Sequence, residues 1–201
     1  MPDTRDRWRN RLPHWEVAGR SHFITIRCAG SLPAEALARV KDIHASLQRI
    51  TPASPQFAVL QRQYFLTCEK YLDRGEGFTP FRIPAASAEA LKALDELEPL
   101  AGWRVTHVVV MLNHVHFLLA PACATPRPLR QTIREFKGRV ARAANLALGR
   151  HGAFWQPDWF DRWMRDTTEE ARAADYIRQN PVKAGLVRDW REWPWTRSCE
   201  T

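Results

Sequence analysis

The sequence has no long apolar run and little cysteine. None of its hydrophobic stretches approaches the ~20 residues that a bilayer-spanning helix needs, and the polar segment from Met1 to Trp8 lacks the apolar core of a secretory signal. The four cysteines are far apart and form no Cys-x-x-Cys pair, so the sequence predicts neither a zinc knuckle nor a disulfide framework. These absences favour a cytoplasmic protein in a reducing compartment, without a membrane partner.

Length and composition predict one folded domain with a short extension. Of the 201 residues, 45% are hydrophobic, which is enough for a sizeable core. Residues 1–20 are basic, rich in tryptophan and proline, and show no periodicity, so we expect an N-terminal arm there. We expect residues 21–201 to form a single domain whose last segment, 188–201, is a tail.

The net charge of +8 is concentrated in one segment. Residues 127–150 carry seven Arg or Lys side chains against one acid, Glu135, whereas residues 23–126 are nearly neutral. A basic segment beside a neutral body is typical of a surface that binds a polyanion, with nucleic acid favoured over membrane. An ordinary solvated helix face is the alternative.

Hydrophobic periodicity predicts an α+β fold. Alternating apolar residues indicate strands at 22–28, 103–110 and 114–120, and the last two are close enough to pair as a hairpin. Helical spacing indicates helices from residue 33 to about 50, at 58–73, 87–97 and 128–148, with a linker at 51–55. This order of elements predicts an antiparallel sheet with helices packed on it.

The strand at 114–120 carries two histidines, His114 and His116. Side chains two residues apart on a strand leave the same face, so both imidazoles project together, while Val115, Phe117 and Leu119 point into a core. Two adjacent neutral imidazoles are a ready pair of metal ligands. Polar residues on a solvated sheet face are the alternative.

A C-terminal helix has a clear start. Asp166 can cap it, and Glu169 three residues later completes a capping box. We expect the helix to end at Asn180, because the following Pro181 disfavours helical geometry at the residue before it. Tyr176 lies four residues before Asn180 and therefore shares its face. A tyrosine in this position is otherwise often a core residue with its hydroxyl at the rim.

An ordered set of motifs runs along the chain: Leu12-Pro-His-Trp15, Asn113-His-Val-His116, Phe136-Lys-Gly138, Phe154-Trp-Gln156, Phe160-Asp-Arg162, Arg165-Asp166 and the segment from Tyr176 to Val187. This set resembles the single-tyrosine HUH transposases, in particular the REP-associated tyrosine transposases. The likeness therefore covers nearly the whole chain. Two positions depart from the family pattern: Leu112 stands where proline is usual, and Trp159 replaces a frequent loop tyrosine. Neither matches a ligand or the nucleophile.

The resemblance implies a ferredoxin-like fold in which the histidine strand is central and the C-terminal helix carries the tyrosine. It implies that Tyr176 is the nucleophile and that His114, His116 and Asn180 bind a divalent metal ion, Mg²⁺ or Mn²⁺. The implied activity is metal-dependent cleavage and strand transfer of single-stranded DNA through a 5′-phosphotyrosine intermediate. Ligand softness alone would favour zinc, nickel or manganese over magnesium.

The resemblance also implies a partner, imperfect palindromic DNA hairpins of the REP type, which would place the protein at the nucleoid. We expect phosphate contacts from Arg127, Arg130, Arg134 and Lys137, and stacking on unpaired bases from Trp15 and Trp155. Two other functions stay open: a domesticated hairpin-DNA binder that no longer cleaves, and a metal-dependent phosphodiesterase that uses water. The sequence predicts no oligomeric state.

Overall fold

The computed structural model describes residues 3–10, 12–51 and 54–199; Pro52 and Ala53 of the predicted linker, and parts of the predicted arm and tail, lie outside these ranges. The elements follow the chain as β1 Thr4–Arg9, β2 Pro13–Val17, β3 His22–Arg27, α1 Ala34–Arg49, α2 Pro55–Leu72, α3 Pro84–Asp95, α4 Leu97–Ala101, β4 Trp103–Val110, β5 His114–Pro121, α5 Leu129–Ala147, β6 Phe160–Trp163, α6 Thr167–Lys183 and β7 Thr196–Ser198. Over the described ranges, none of the helices combines the length and apolar character that crossing a bilayer requires.

A five-stranded antiparallel sheet forms the centre of the fold. Its strand order is β6-β3-β5-β4-β7, so the histidine strand β5 is the central one. Strands β4 and β5 pair as the predicted hairpin, and β3 pairs on the other edge of β5. The predicted α+β fold is confirmed, with the histidine strand central and the tyrosine on the C-terminal helix α6.

The main hydrophobic core lies on one face of this sheet. Side chains of β3 and β5 that alternate along each strand point to it, and these are Ile24, Ile26, Val115, Phe117 and Leu119. They pack against the apolar sides of α3 and α5. The predicted alternation is confirmed, because successive side chains of a strand point to opposite faces.

The opposite face of the sheet is partly polar and is covered by α2 and α6. Phe23 and Leu118 of the sheet pack there against Ile177 of α6 and Phe65 of α2. On the same face, residues paired across β3 and β5 form a buried polar group, namely Thr25, Arg27, His114 and His116. One face therefore stabilises the fold, and the other holds chemically active side chains.

The predicted arm contains an antiparallel hairpin of β1 and β2, two strands that the sequence analysis did not predict. Hydrophobic periodicity did not indicate β2 because one buried face of this strand is polar. His14 and Glu16 are buried, and Trp15 between them is half-buried. Glu16 Oε2 accepts a 2.7 Å hydrogen bond from the backbone N–H of Leu129, the first residue of α5. The hairpin thus caps a helix whose own preceding residue is a proline. The division of the chain into arm and domain stays a prediction.

Helix α6 begins as predicted, with the Asp166 carboxylate as its N-cap, but ends later. It runs through Pro181 to Lys183, so the predicted end at Asn180 was wrong. Proline inside a helix removes one backbone hydrogen bond and crowds the preceding turn. Here only a short final turn follows the proline, and backbone hydrogen bonds from Ala184 to Asn180 and from Leu186 to Pro181 close it. Gly185, with a φ of +69°, then redirects the chain.

Candidate functional site

His114 and His116 lie side by side on β5 and are fully buried. Their ring centroids are 4.6 Å apart. Each Nδ1 atom has a neighbour that orients its ring: Asn113 Oδ1 lies 2.7 Å from that of His114, and Thr25 Oγ1 lies 2.8 Å from that of His116. An Nδ1–H that donates to oxygen leaves Nε2 with a lone pair, which is the form in which histidine binds metal ions.

A carboxylate from α2, that of Glu69, completes a group of three, and the sequence analysis had not identified it. One ligand atom each from Glu69, His114 and His116 lies within 4.8 Å of the others, and all three residues are buried. Glu69 Oε2 is 3.0 Å from His116 Nε2. The same oxygen accepts a hydrogen bond from the hydroxyl of Tyr176.

Helix α6 brings Tyr176 and Asn180 to this group. The rings of Tyr176 and His116 have centroids 5.4 Å apart. Asn180 is 1% exposed and lies beside both His114 and Tyr176, where its amide acts on their pKa values. The structure therefore brings together all four residues that the sequence analysis assigned to catalysis and metal binding.

The cluster fits a divalent cation. Within the described chain, five buried polar atoms without a hydrogen-bond partner meet here, namely His114 Nε2, His116 Nε2, Glu69 Oε1 and the two amide atoms of Asn180. Buried polar atoms are normally paired, and a cation would satisfy four of these atoms together; the fifth, Asn180 Nδ2, is a donor and needs a different partner. Two adjacent ligands about 2.1 Å from one octahedral ion are roughly 3.0 Å apart, and His116 Nε2 and Glu69 Oε2 have this separation without hydrogen-bonding geometry.

The electrostatics of the cluster also suit a cation. Burial lowers the pKa of His114 to about 3, so its imidazole stays neutral. Burial acts to raise the pKa of Glu69, but the neighbouring His116 outweighs it and holds the value at about 2. Burial and the charge of Glu69 raise the pKa of Tyr176 far above its usual value. The phenol is thus held protonated, and a nearby positive charge would favour its ionisation.

Four of the predicted DNA-contacting residues meet at a groove of about 720 Å³, and these are Arg130, Arg134, Lys137 and Trp155. The two arginines are exposed. Lys137 Nζ instead donates to the backbone carbonyls of Gln156, at 2.7 Å, and Pro157, at 2.9 Å, and burial lowers its pKa to about 8. Trp155 is only 7% exposed and belongs to the main core.

The other two predicted DNA contacts lie elsewhere. Arg127 forms an ion pair with Glu135. Trp15 lies on the hairpin, where its indole N–H donates to Thr4 Oγ1 at 2.9 Å and the Arg7 guanidinium lies 5.2 Å from its ring centre. The four basic residues from which we expect phosphate contacts therefore do not form one continuous surface, and the exposed charge beside the groove comes from Arg130 and Arg134.

Comparison with a known structure identifies the fold. No family model matches the chain. In a solved structure of a REP-associated tyrosine transposase bound to a REP hairpin, the protein superposes on this chain with a TM-score of 0.54 and 18% sequence identity, over 94% of this chain and 82% of that chain. The two proteins therefore share a fold, an α+β architecture with a central antiparallel sheet.

The sequence comparison gives a particular relative. The REP-associated tyrosine transposase of Escherichia coli (strain K12) is 33% identical over 63 residues, which are 31% of this chain. The matched region spans 35% of the curated relative, about a third of its length. The resemblance to REP-associated tyrosine transposases that the motifs indicated is confirmed by both comparisons.

Proposed function

We propose that this protein is a metal-dependent nuclease and strand transferase for single-stranded DNA, like the REP-associated tyrosine transposases it resembles. One observation carries the proposal: a single oxygen of Glu69 contacts both the hydroxyl of Tyr176 and, at 3.0 Å, the Nε2 atom of His116. A phenol from a helix and imidazoles from a central strand thus converge on one buried point. Cleavage of a phosphodiester by a covalent route needs a nucleophile and an electrophilic group within such reach of each other.

The ligands we propose for Mg²⁺ or Mn²⁺ are His114, His116 and Asn180, with Glu69 as a further oxygen ligand. Two imidazoles favour manganese by ligand type, and the carboxylate and amide oxygens are acceptable to either ion. When bound, the ion would polarise a non-bridging oxygen of the scissile phosphate as a Lewis acid. Asn113 and Thr25 would hold the two imidazoles in the orientation that binding requires.

The nucleophile in this proposal is Tyr176. Its oxygen forms a bond to phosphorus, and its proton passes to the Glu69 carboxylate, to which the hydroxyl already donates. The bond from phosphorus to the 3′ oxygen breaks, and the leaving oxygen takes the electron pair and then a proton from solvent. The products are a free 3′-hydroxyl and a 5′-phosphotyrosine, whose ester keeps the energy needed to rejoin strands without ATP.

The substrate we propose is single-stranded hairpin DNA of the REP type. The related protein of known structure is bound to such a hairpin, and Arg130 and Arg134 present exposed positive charge beside a groove of this chain. Contacts from Arg127, Lys137, Trp15 and Trp155 stay predictions. A protein with this substrate would act at the nucleoid.

Trapping of a covalent adduct tests the proposal. The protein is incubated with 3′-labelled single-stranded hairpins, taken from palindromic repeats beside its gene, in Mn²⁺ or EDTA, and run on a denaturing gel. We expect labelled protein in Mn²⁺ and none in EDTA or for Tyr176→Phe. Tyr71→Phe is the matched control. Tyr71 lies on the side of α2 that packs against α1, where its hydroxyl donates to Glu35, so the loss of this hydroxyl should not affect the adduct.

The same gel separates the alternatives. Cleaved DNA without an adduct would indicate a phosphodiesterase that uses water. Hairpin binding with neither cleavage nor adduct would indicate a non-cleaving DNA binder. Either result contradicts the proposal, as does an adduct that survives Tyr176→Phe.

A further inference from the structure

A cavity opens beside the imidazole and carboxylate cluster, and the chemistry above does not use it. It has a volume of about 360 Å³ and lies between the sheet, α1, α2 and the loop before β6. Thr25 and Glu69 line the cavity and also belong to the cluster. A molecule in this cavity would therefore lie next to a phosphate held at the cluster.

Arg27 gives the cavity an unpaired positive charge. Its side chain is 9% exposed, lines the cavity, and makes no ion pair or side-chain hydrogen bond to any described residue. A buried charge without a partner is costly, so this position favours an anionic ligand. The register of the sheet pairs Arg27 directly with His114, so the guanidinium and the imidazole leave the same face as neighbours.

The acidic groups of the cavity are already engaged. Glu69 accepts from Tyr176 and lies against His116. Asp158 lies 2.9 Å from His14 Nε2 and accepts a backbone N–H from the hairpin. Both carboxylates thus already have partners of their own, whereas Arg27 has none among the described residues, so Arg27 is the group left to select the charge of a ligand.

The remaining walls are apolar and aromatic. They include Val40, Tyr64, Leu72, Trp159 and Phe160, and the exposed Lys41 adds a second positive charge at the rim. A volume of this size lies within the range of pockets that bind small molecules. Flat aromatic walls favour stacking of a base, whatever its identity.

We propose that this cavity binds one unpaired nucleotide of the DNA strand, adjacent to the scissile phosphate. The nucleotide's own phosphate pairs with Arg27, and its base inserts between the aromatic side chains of Tyr64 and Trp159. This inference rests on the proposed function, because it assigns a strand position to a DNA substrate. It makes Arg27 a substrate-binding residue of that reaction.

Binding measured without metal tests the inference separately from cleavage. The probe is a fluorescein-labelled hairpin with a single-stranded foot, in EDTA, followed by fluorescence anisotropy. We expect Arg27→Gln to weaken binding by about tenfold to a hundredfold, because it removes a charge-assisted contact from a buried site. The matched control is Arg39→Gln: Arg39 is an exposed arginine of α1 that pairs with Glu35, and its loss should change binding by about twofold or less.

A second variant blocks the cavity without changing any charge. Leu37 lies at its rim and is 43% exposed, so Leu37→Trp can fill the space while the fold is retained, as thermal unfolding would verify. An abasic nucleotide is then moved along the foot of the hairpin. We expect wild-type protein to lose affinity at one position, and Leu37→Trp protein to bind all positions alike.

The outcomes distinguish the inference from the proposed function. If Arg27→Gln binds as Arg39→Gln does, or if no abasic position matters to the wild type, the nucleotide site is refuted, even though an adduct in Mn²⁺ would leave the proposed function standing. If both effects appear but no adduct forms, the nucleotide site is supported and the transposase chemistry is refuted. If the wild type does not bind the hairpin at all, both are refuted.

Discussion

Two buried clusters of histidine and carboxylate differ in the bonding of their imidazole nitrogens. On the sheet face, the Nε2 atoms of His114 and His116 have no hydrogen bond to any residue that the structure describes. Between the hairpin and the loop before β6, His14 uses both ring nitrogens: Nε2 lies 2.9 Å from Asp158, and Nδ1 contacts Asp161. A histidine with both nitrogens bonded to carboxylates has no atom left for a ligand, whereas one with a free Nε2 can bind a metal ion.

The surroundings of His14 mark it as a structural cation. Its ring stacks on Trp8, with centroids 5.0 Å apart and planes at 18°, and lies 4.4 Å from the ring of Trp159. Burial acts to lower its pKa, but Asp161 and Asp158 outweigh that and raise the value to about 9. At neutral pH the ring is therefore charged, in contrast to His114, whose pKa burial lowers to about 3.

A histidine-to-leucine substitution should have its largest effect on stability at His14. His14→Leu should lower the free energy of unfolding by about 3–5 kcal/mol, because it leaves two buried carboxylates without a counter-charge. Urea denaturation measures this loss. In a variant that also carries Asp158→Asn and Asp161→Asn much of the stability should return, and a loss below about 1 kcal/mol for the single variant would contradict a structural role for the charge.

The pH dependence of stability should show the second effect. The pKa of His14 is raised from its usual value of about 6.5 to about 9 on folding. Its contribution is therefore complete below pH 6.5 and is lost as pH rises through 9, a decrease of about 3 kcal/mol in the free energy of unfolding. Denaturation across this range would measure it. His14→Leu protein should lack this component, and an unchanged pH profile in that variant would refute the assignment.

The smallest effect on stability should come from His114→Leu. Because the imidazole of His114 is neutral, its loss removes no charge that balances a buried carboxylate. The substitution removes one hydrogen bond to Asn113, so the free energy of unfolding should change by about 1 kcal/mol or less. Affinity for Mn²⁺, measured by electron paramagnetic resonance, should instead fall by about a hundredfold, since the proposed function makes His114 a direct ligand. Unchanged Mn²⁺ affinity, or a stability loss as large as that of His14→Leu, would contradict the difference in role that we assign to the two clusters.

Local patterns were sufficient to predict the three inner strands of the sheet, β3, β5 and β4, and the residues that α6 and β5 bring together, but the edge strands β6 and β7 were not predicted. Strand alternation placed His114 and His116 on one face, and helical spacing placed Tyr176 with Asn180. The fold class followed from the order of elements. These features depend on neighbours in sequence, so a single chain is enough to infer them.

Glu69 depended on contacts that no local pattern encodes. It lies 45 or more residues before the histidines and reaches them only because α2 packs on the polar face of the sheet. One signal was present: Phe65, Cys68 and Leu72 lie on the inward side of α2, and Glu69 shares that side. A carboxylate among apolar neighbours at helical spacing indicates a buried partner, although it does not identify that partner.

The N-terminal hairpin was missed for a related reason. Two of its buried residues, His14 and Glu16, are polar, and each has its partner far along the chain, at Asp158, Asp161 and Leu129. Hydrophobic periodicity does not register such a strand. The late end of α6 was missed because an internal proline is tolerated so near the last turn.

The bond from Glu16 to the start of α5, together with the pairing of His14, means that the first twenty residues cannot be trimmed as if they were a dispensable leader. Shortening the gene at that boundary would uncap α5 and expose the carboxylates of Asp158 and Asp161 beside the cavity that Arg27 lines. A tag or fusion partner is therefore better attached at the other terminus.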